Sequence, residues 1–416
     1  MPSVRRKLIF SLVPVVVLVA GAELLLRLID YHGPSADPFE SFVLHRPLFR
    51  SEGEVLRTAP ARRKFFHDQS FLRKKPDGVC RILFLGGSAT WGGELARPGE
   101  DGYPGLTAAL LARGRPGTRV ESINCGGISY ASYRLVGVLE ECLAYEPDVI
   151  VVMSGNNEFI EPRHYGPIVE KSTTRLLWHD LRLGQLLKSL AESLAPRAEA
   201  IRGDEVVLGD DIEERYIVRT DEERRLTLRH YERNLLRMVE LAQSARIPIV
   251  LLTVPSNVRD FSPIRTEAYG GLTREVVSLR LEAVLAHFEA KRYEECLEAC
   301  ERELELAEPR PAAFCYVKAA ALEALDRREE AIRWFVEARD NDAFPHRAPT
   351  VFNNMVRAIS NEPGATLVDA EKLLFDASPR GIPGNELFAD QCHPNENGHR
   401  LIAESLADAL DRLLRK

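Results

Sequence analysis

From residue 81 onward, short apolar runs alternate with amphipathic stretches. Arg81 leads into Ile82-Leu83-Phe84-Leu85, which ends on Gly86-Gly87 and reads as a buried strand. A helix-like stretch at 105–112 follows, then a second strand at Val120–Ile123 and a second helix at Leu135–Tyr145. Asp148-Val149-Ile150-Val151-Val152-Met153 is the clearest strand, and it too runs into a glycine loop. Thr220 and Glu223 have the spacing of a capping box and open a long helix whose apolar positions are Leu226, Leu235, Leu236, Val239 and Leu241. Ile247–Thr253 is the next strand, Thr366–Asp369 the last, and Gly398–Leu414 a closing amphipathic helix. Strands and helices in alternation predict a parallel sheet with helices on both faces.

The alternation breaks between Thr273 and Asp342, where only helical periodicity is present. Arg292-Tyr293-Glu294-Glu295-Cys296 matches Arg327-Arg328-Glu329-Glu330-Ala331 at an offset of 35, a period that resembles the tetratricopeptide repeat. About two copies are legible, so the segment is expected to lean on the main domain. The chain therefore divides into an N-terminal segment (1–29), a connecting segment rich in Pro, Arg and Phe (30–77), an α/β part (78–272), a helical insertion (273–344) and a final α/β part (345–416).

The N-terminus changes the picture. Arg5, Arg6 and Lys7 precede an apolar run from Leu8 to Ala22. Basic residues stay on the cytoplasmic side, so the remainder is expected outside the cytoplasm. An uncleaved single-pass anchor continuing through Leu28 is favoured over a signal peptide cleaved near Ala22. Glu23 is the main objection to the anchor, and Pro14 a smaller one.

Composition adds mostly exclusions. A net charge of -7 with mixed signs along the chain gives no reason to expect a nucleic-acid partner. Seven scattered cysteines without a CxxC pair predict neither a disulfide framework nor a zinc site. Cys296 and Cys300 share a helix face and read as small packing residues.

Four short segments carry candidate chemistry, three of them at strand ends, where ligands of open α/β sheets bind. Gly86-Gly87-Ser88-Ala89-Thr90 puts a serine on a strand-to-helix turn; it lacks the GxGxxG or GxxxxGK[ST] pattern of a nucleotide loop. Asn124-Cys125-Gly126-Gly127 and Ser154-Gly155-Asn156-Asn157-Glu158 offer backbone and amide donors of the kind an oxyanion needs, although each alone is also an ordinary turn. Asp390-Gln391-Cys392-His393 places a carboxylate and an imidazole within mutual reach, the orienter and base of a triad. A metal site would need further ligands, and His399 is the one close candidate. Neither a metal nor a cofactor is expected.

These four segments, in this order, resemble the SGNH (GDSL-type) hydrolase superfamily, over residues 78–275 and 345–416. The resemblance implies Ser88 as nucleophile, Gly126 and Asn157 as oxyanion donors together with the Ser88 N–H, and Asp390 and His393 as the DxxH pair. The usual aspartate before the nucleophile is Gly87 here, and Glu158 stands where Asp is usual. The implied fold is a flavodoxin-like three-layer α/β/α domain with a parallel sheet, tethered by an N-terminal membrane helix and carrying the helical repeat as an insertion. The implied activity is ester hydrolysis or O-acyl transfer through an acyl-enzyme, on a cell-envelope glycan, lipid or small ester. Asn257 and Arg259, after the fourth strand, are candidate substrate contacts, Arg259 for an anionic group. Residues 159–211 read as a lid or a membrane-facing segment. The alternative is an inactive scaffold whose helical repeat binds a protein partner; a nucleotide-binding domain is disfavoured.

Overall fold

A computed structural model describes residues 14, 18–29, 47–160, 182–183, 186–187, 190 and 220–415. The expected lid at 159–211 lies almost wholly outside these residues, as does most of the apolar N-terminal run. The chain forms two compact units, one from Met1–Leu44 with Arg163–Gly209, the other from His45–Pro162 with Asp210–Lys416. In the first, residues 18–28 are helical. The Glu23 carboxylate pairs there with Arg27 at 2.7 Å and accepts the Leu183 N–H at 2.9 Å. Among the described residues no helix is long and apolar enough to cross a membrane.

The second unit is α/β. Five parallel strands, β4 (Val79–Gly86), β5 (Arg119–Gly126), β6 (Val149–Met153), β7 (Ile249–Leu252) and β8 (Ala365–Val368), lie in the order β5-β4-β6-β7-β8. Ile82, Leu83, Phe84 and Leu85 are all at most 1% exposed, which explains why β4 is a continuous apolar run: both its faces are covered. The strand order reverses at β4, since β5 lies on one side of it and all later strands on the other. Right-handed crossovers then send the connecting helices to opposite faces. The helices involved begin with α1 (Ser88–Trp91), α2 (Pro98–Asp101), α3 (Tyr103–Gly114), α4 (Ser132–Cys142) and α5 (Asp221–Ala245). α3 packs against the closing helix Glu396–Leu414 on one side of the sheet, and α4 packs against α5 on the other. The Thr220–Glu223 capping box is formed at the start of α5.

Residues 273–344 fold as two helical hairpins: α6 (Arg274–Glu289) with α7 (Tyr293–Leu304), and α8 (Ala312–Ala324) with α9 (Arg328–Asp340). The sequence repeat is repeated in the backbone. Lys291 and Asp326 are both left-handed (φ 58° and 59°), and Arg292 and Arg327 each stand at the N-cap of the next helix. The hairpins share a core with Val258, Tyr269 and Ile382 of the α/β part, so they do lean on it. Cys296 and Cys300 are fully buried in that core, and all seven cysteines are free thiols. At the far end, Arg339 (1% exposed) binds Glu371 at 2.8 Å and Thr350 at 2.7 Å, joining α9 to α10 (Thr350–Ile359) and α11 (Ala370–Ala377). The closing helix is α12.

Within the connecting segment, residues 47–77 hold more order than their lack of periodicity predicted. β1 (Phe49–Glu52), β2 (Val55–Thr58) and β3 (Ser70–Leu72) form a small antiparallel sheet. Fully buried Arg81 on β4 ties it to the main sheet through the Leu72 carbonyl at 2.8 Å and Glu121 at 2.6 Å. Strands of three or four residues are too short to show an alternating signal.

Candidate active site

β4 and β6 deliver their loops to the same edge of the sheet, on either side of the reversal, where ligands of open sheets bind. Ser88 is the first residue of α1, directly after β4. The turn is extremely close: a Cβ on Gly86 would lie 1.9 Å from Thr90 Oγ1 and 2.4 Å from the Met153 carbonyl. Only glycine fits there. The Ser88 N–H, in the first turn of a helix, has no intrahelical acceptor.

His393 arrives from the loop before α12. An antiparallel bridge between Phe388 and Pro394, with the Ala389 N–H donating to the His393 carbonyl at 2.9 Å, closes that loop tightly. Asp390 and His393 are thereby held side by side. Asp390 Oδ1 accepts the Cys392 and His393 backbone N–H groups, each at 2.8 Å, and Oδ2 meets His393 Nδ1 at 2.5 Å. His393 Nε2 lies 2.7 Å from Ser88 Oγ, across 305 residues of sequence. Gly93, left-handed at φ 50°, backs onto the imidazole; a Cβ there would sit 2.9 Å from His393 Cβ and 3.0 Å from its ring carbons.

Electrostatics follow from this packing. Burial alone lowers His393, but the Asp390 hydrogen bond and the neighbouring Cys392 sulfur outweigh it and lift the imidazole to about 10. Burial raises Asp390, yet His393 and the two backbone N–H groups hold it below the usual carboxylate range. Asp390, Cys392 and His393 also place one potential metal-ligand atom each within 4.8 Å of the others. Asp390 and His393 already satisfy one another, and a cation bound at Nδ1 would break the bond that orients Nε2 toward Ser88. The donor set therefore fits a hydrogen-bonded relay better than a metal centre.

The expected oxyanion donors divide. Asn157 is 8% exposed, and its Nδ2 donates to the Tyr130 carbonyl at 3.0 Å. That nitrogen lies 2.5 Å from where a Cβ on Gly87 would be, so the amide stands beside the nucleophile with its second N–H available. Gly126 departs from expectation: its N–H donates to Asn124 Oδ1 at 2.9 Å. Gly126 instead lets α1 approach β5, because a Cβ there would lie 2.3 Å from the Trp91 nitrogen. Glu158, 1% exposed, receives the Ser132 N–H at 2.7 Å and the Ser132 hydroxyl at 3.1 Å, fixing the loop that carries Tyr130.

Asn257 and Arg259 are occupied as tethers. Arg259 Nη2 pairs with Asp260 at 3.0 Å and Glu386 at 2.5 Å, leaving no free charge for an anionic substrate. Asn257 is fully buried, donates from Nδ2 to Asn385 at 2.9 Å and accepts the Asp260 N–H at 2.9 Å. Both are bound up in holding the DxxH loop, a role polar loop residues share with ligand-binding ones.

Sequence reading missed the contribution of residues 65–69. Gln69 clasps the backbone of Asn124 on both sides, at 2.7 and 3.1 Å, while Asn124 Nδ2 holds the Thr90 carbonyl at 3.0 Å. His67 stacks on Trp91, with ring centroids 4.6 Å apart, and its Nε2 meets the Trp91 carbonyl at 2.6 Å. No motif flags them, because their partners are backbone groups of a strand and helix far away in sequence.

Neither known family profiles nor curated protein sequences give a match. Solved structures with a similar fold include esterases, at low identity. An acetyl xylan esterase aligns with a TM-score of 0.36 and 14% identity, over 79% of this chain and 99% of its own. A GDSL-like lipase from Bacteroides thetaiotaomicron aligns at 0.33 and 11%, over 80% and 88%. The esterase EstA from a Pseudoalteromonas species aligns at 0.34 and 12%, over 81% and 99%. Likenesses at this level assign neither activity nor substrate, and the chemistry rests on the site itself.

Proposed function

We propose that the chain is a serine-dependent ester hydrolase or O-acyltransferase of the SGNH type, working through an acyl-enzyme. The observation that carries this reading is the unbroken relay Asp390–His393–Ser88, with contacts of 2.5 and 2.7 Å. In this mechanism His393 Nε2 takes the Ser88 proton as Oγ attacks the acyl carbonyl, and Asp390 keeps Nδ1 protonated and the ring oriented. The Ser88 N–H and the second Asn157 N–H receive the oxyanion. Collapse expels the alcohol, which takes the proton back from His393. Water or a sugar hydroxyl, deprotonated by the same imidazole, then attacks the acyl-Ser88 carbonyl and regenerates the serine.

The acyl ester is proposed to belong to a cell-envelope glycan, lipid or small molecule, with the N-terminal segment as membrane anchor and the catalytic unit outside the cytoplasm. The test is hydrolysis of p-nitrophenyl acetate by the protein beside Ser88→Ala, with a fluorophosphonate label. Turnover and labelling that both depend on Ser88 are expected. An unlabelled, inactive parent would move the scaffold reading ahead. Labelling without turnover would point to a transferase lacking its acceptor.

A further inference from the structure

The loop that carries Asp390 and His393, residues 382–395, lies against a short strip of chain, 257–260. The Asn257 N–H donates to the Gln391 carbonyl at 3.0 Å, one residue from Asp390, and the Val258 and Arg259 N–H groups donate to the Pro383 carbonyl at 3.2 and 3.1 Å. The Asp260 carboxylate accepts the Asn385 N–H at 2.8 Å. The strip belongs to no helix or strand, so its carbonyls need partners from elsewhere. Two of them find these partners outside the sheet. Arg347, buried on the chain returning from the helical insertion, donates to the Asn257 carbonyl at 2.9 Å, and the Tyr316 hydroxyl on α8 donates to the Arg259 carbonyl at 2.6 Å.

Tyr316 starts a continuous line of hydrogen bonds. The peptide group that accepts its hydroxyl donates in turn, through the Asp260 N–H, to Asn257 Oδ1 at 2.9 Å. Asn257 Nδ2 donates to Asn385 Oδ1 at 2.9 Å, and the Asn385 carbonyl accepts Asn395 Nδ2 at 3.0 Å, two residues beyond His393. Each bond of such a line polarises the next. Packing alone does not fix the Tyr316 ring. It meets Phe335 edge-on, with centroids 5.4 Å apart, but it also borders a cavity of about 300 Å³ walled by Leu281, Leu285, Phe288 and Val317. The hydroxyl bond therefore sets where the ring stands against the strip.

We infer that Tyr316 is a positioning residue for the catalytic base, and that the helical insertion is a brace holding His393 in line with Ser88. Tyr316 acts through residues 257–260 and takes no part in the chemistry itself. The inference rests on the Ser88–His393–Asp390 reading. Small displacements of a base cost much in rate, so a loosened strip is felt at the serine even though the relay residues are unaltered.

The experiment compares Tyr316→Phe, which keeps the ring and removes the hydroxyl, with Tyr269→Phe. The latter cuts the 2.7 Å bond from Tyr269 to Glu303 within the same helical core. Two rates are read, kcat on p-nitrophenyl acetate and the labelling of Ser88 by saturating fluorophosphonate, because both use the base. In Tyr316→Phe both are expected to fall about tenfold, the loss for one such hydrogen bond, with KM within about twofold of the parent. Tyr269→Phe is expected to lower the unfolding temperature comparably and leave both rates unchanged. Thermal unfolding verifies that the variants are folded, and Tyr316→Leu, which also lacks the hydroxyl, serves if Tyr316→Phe does not fold. Parent-like rates in Tyr316→Phe overturn the inference. So does an equal loss in Tyr269→Phe, which would mean general softening, or a raised KM with kcat intact, which would mean substrate contact. A parent that labels without turnover leaves the labelling rate to decide. One that neither turns over nor labels brings down the underlying reading, and this inference with it.

Discussion

Gly87→Ala isolates the link between the nucleophile turn and the oxyanion amide. The backbone there (φ −86°, ψ −155°) is open to alanine, so the substitution acts through its methyl group alone. That methyl would lie 2.5 Å from Asn157 Nδ2 and 3.4 Å from the Tyr130 carbonyl. An ordinary contact needs about 3.5 Å, so the amide must retreat by about 1 Å. The move stretches its 3.0 Å bond to Tyr130 beyond hydrogen-bonding range and takes the second N–H off the oxyanion. Losing one such donor costs about a hundredfold to a thousandfold in kcat, or about 2.7–4 kcal/mol. The expected stability loss is smaller, about 1 kcal/mol for the broken Tyr130 bond. The assay is kcat on p-nitrophenyl acetate for Gly87→Ala, Asn157→Ala and the double variant. Since both substitutions disable one donor, the double variant should be no slower than Asn157→Ala. If Gly87→Ala slows the Asn157→Ala background by its full single-variant factor, the steric reasoning is wrong.

Other consequences can be measured directly. His393 must be neutral to act as base, and its raised value puts the rise of kcat/KM on the alkaline side of the ordinary 6.5, toward about 10. Cys392→Ala should move that rise to lower pH; a pH-rate profile shared with the parent refutes the assignment. The same shift stabilises the fold fully below 6.5, and the benefit fades as pH climbs through about 10. Depressed Asp390 works the opposite way, its contribution present above the ordinary 3.8 and lost on acidification. Gly93→Ala forces a left-handed alanine against His393, costing about 1–2 kcal/mol in urea unfolding. It should also lower kcat about tenfold to a hundredfold by displacing the base, and unaltered turnover would show that the ring has room. Arg339→Met leaves buried Glu371 short of a partner and should cost about 3 kcal/mol in denaturant unfolding. A loss within experimental error would mean that Arg357, at 2.8 Å from the other Glu371 oxygen, suffices.

Strands β4, β6 and β7 were legible because burial on both faces makes them unbroken apolar runs; Ser88 and Asn157 stood out as polar residues on glycine-rich strand ends, and Asp390 and His393 by their three-residue spacing ahead of the closing helix. Spacing alone could not bring Ser88 to His393; the Phe388–Pro394 bridge and the returning helix α12 do that. Gly126 was misread because a glycine that donates an N–H and one that admits a neighbouring backbone look alike in sequence. Arg259 and Asn257 looked like ligand contacts for a similar reason: their partners Asp260, Glu386 and Asn385 are tied to them by tertiary structure. The segment before residue 78 gave no signal because its strands are short and its useful contacts are made by Gln69 and His67 to backbone atoms.

That last arrangement bears on how the protein must be handled. β5 is an outer strand of the sheet, and the Gln69 amide, with the Phe65 carbonyl that receives the Ile128 N–H at 3.0 Å, occupies polar groups along it and just beyond. A side-chain amide here does the work of a neighbouring peptide group. It also blunts a surface on which a foreign strand could add. A fragment trimmed to begin at Val79 would expose that edge and unsupport the turn behind Trp91. It should aggregate as well as lose activity, whereas one that retains residues 45–78 keeps the sheet self-contained.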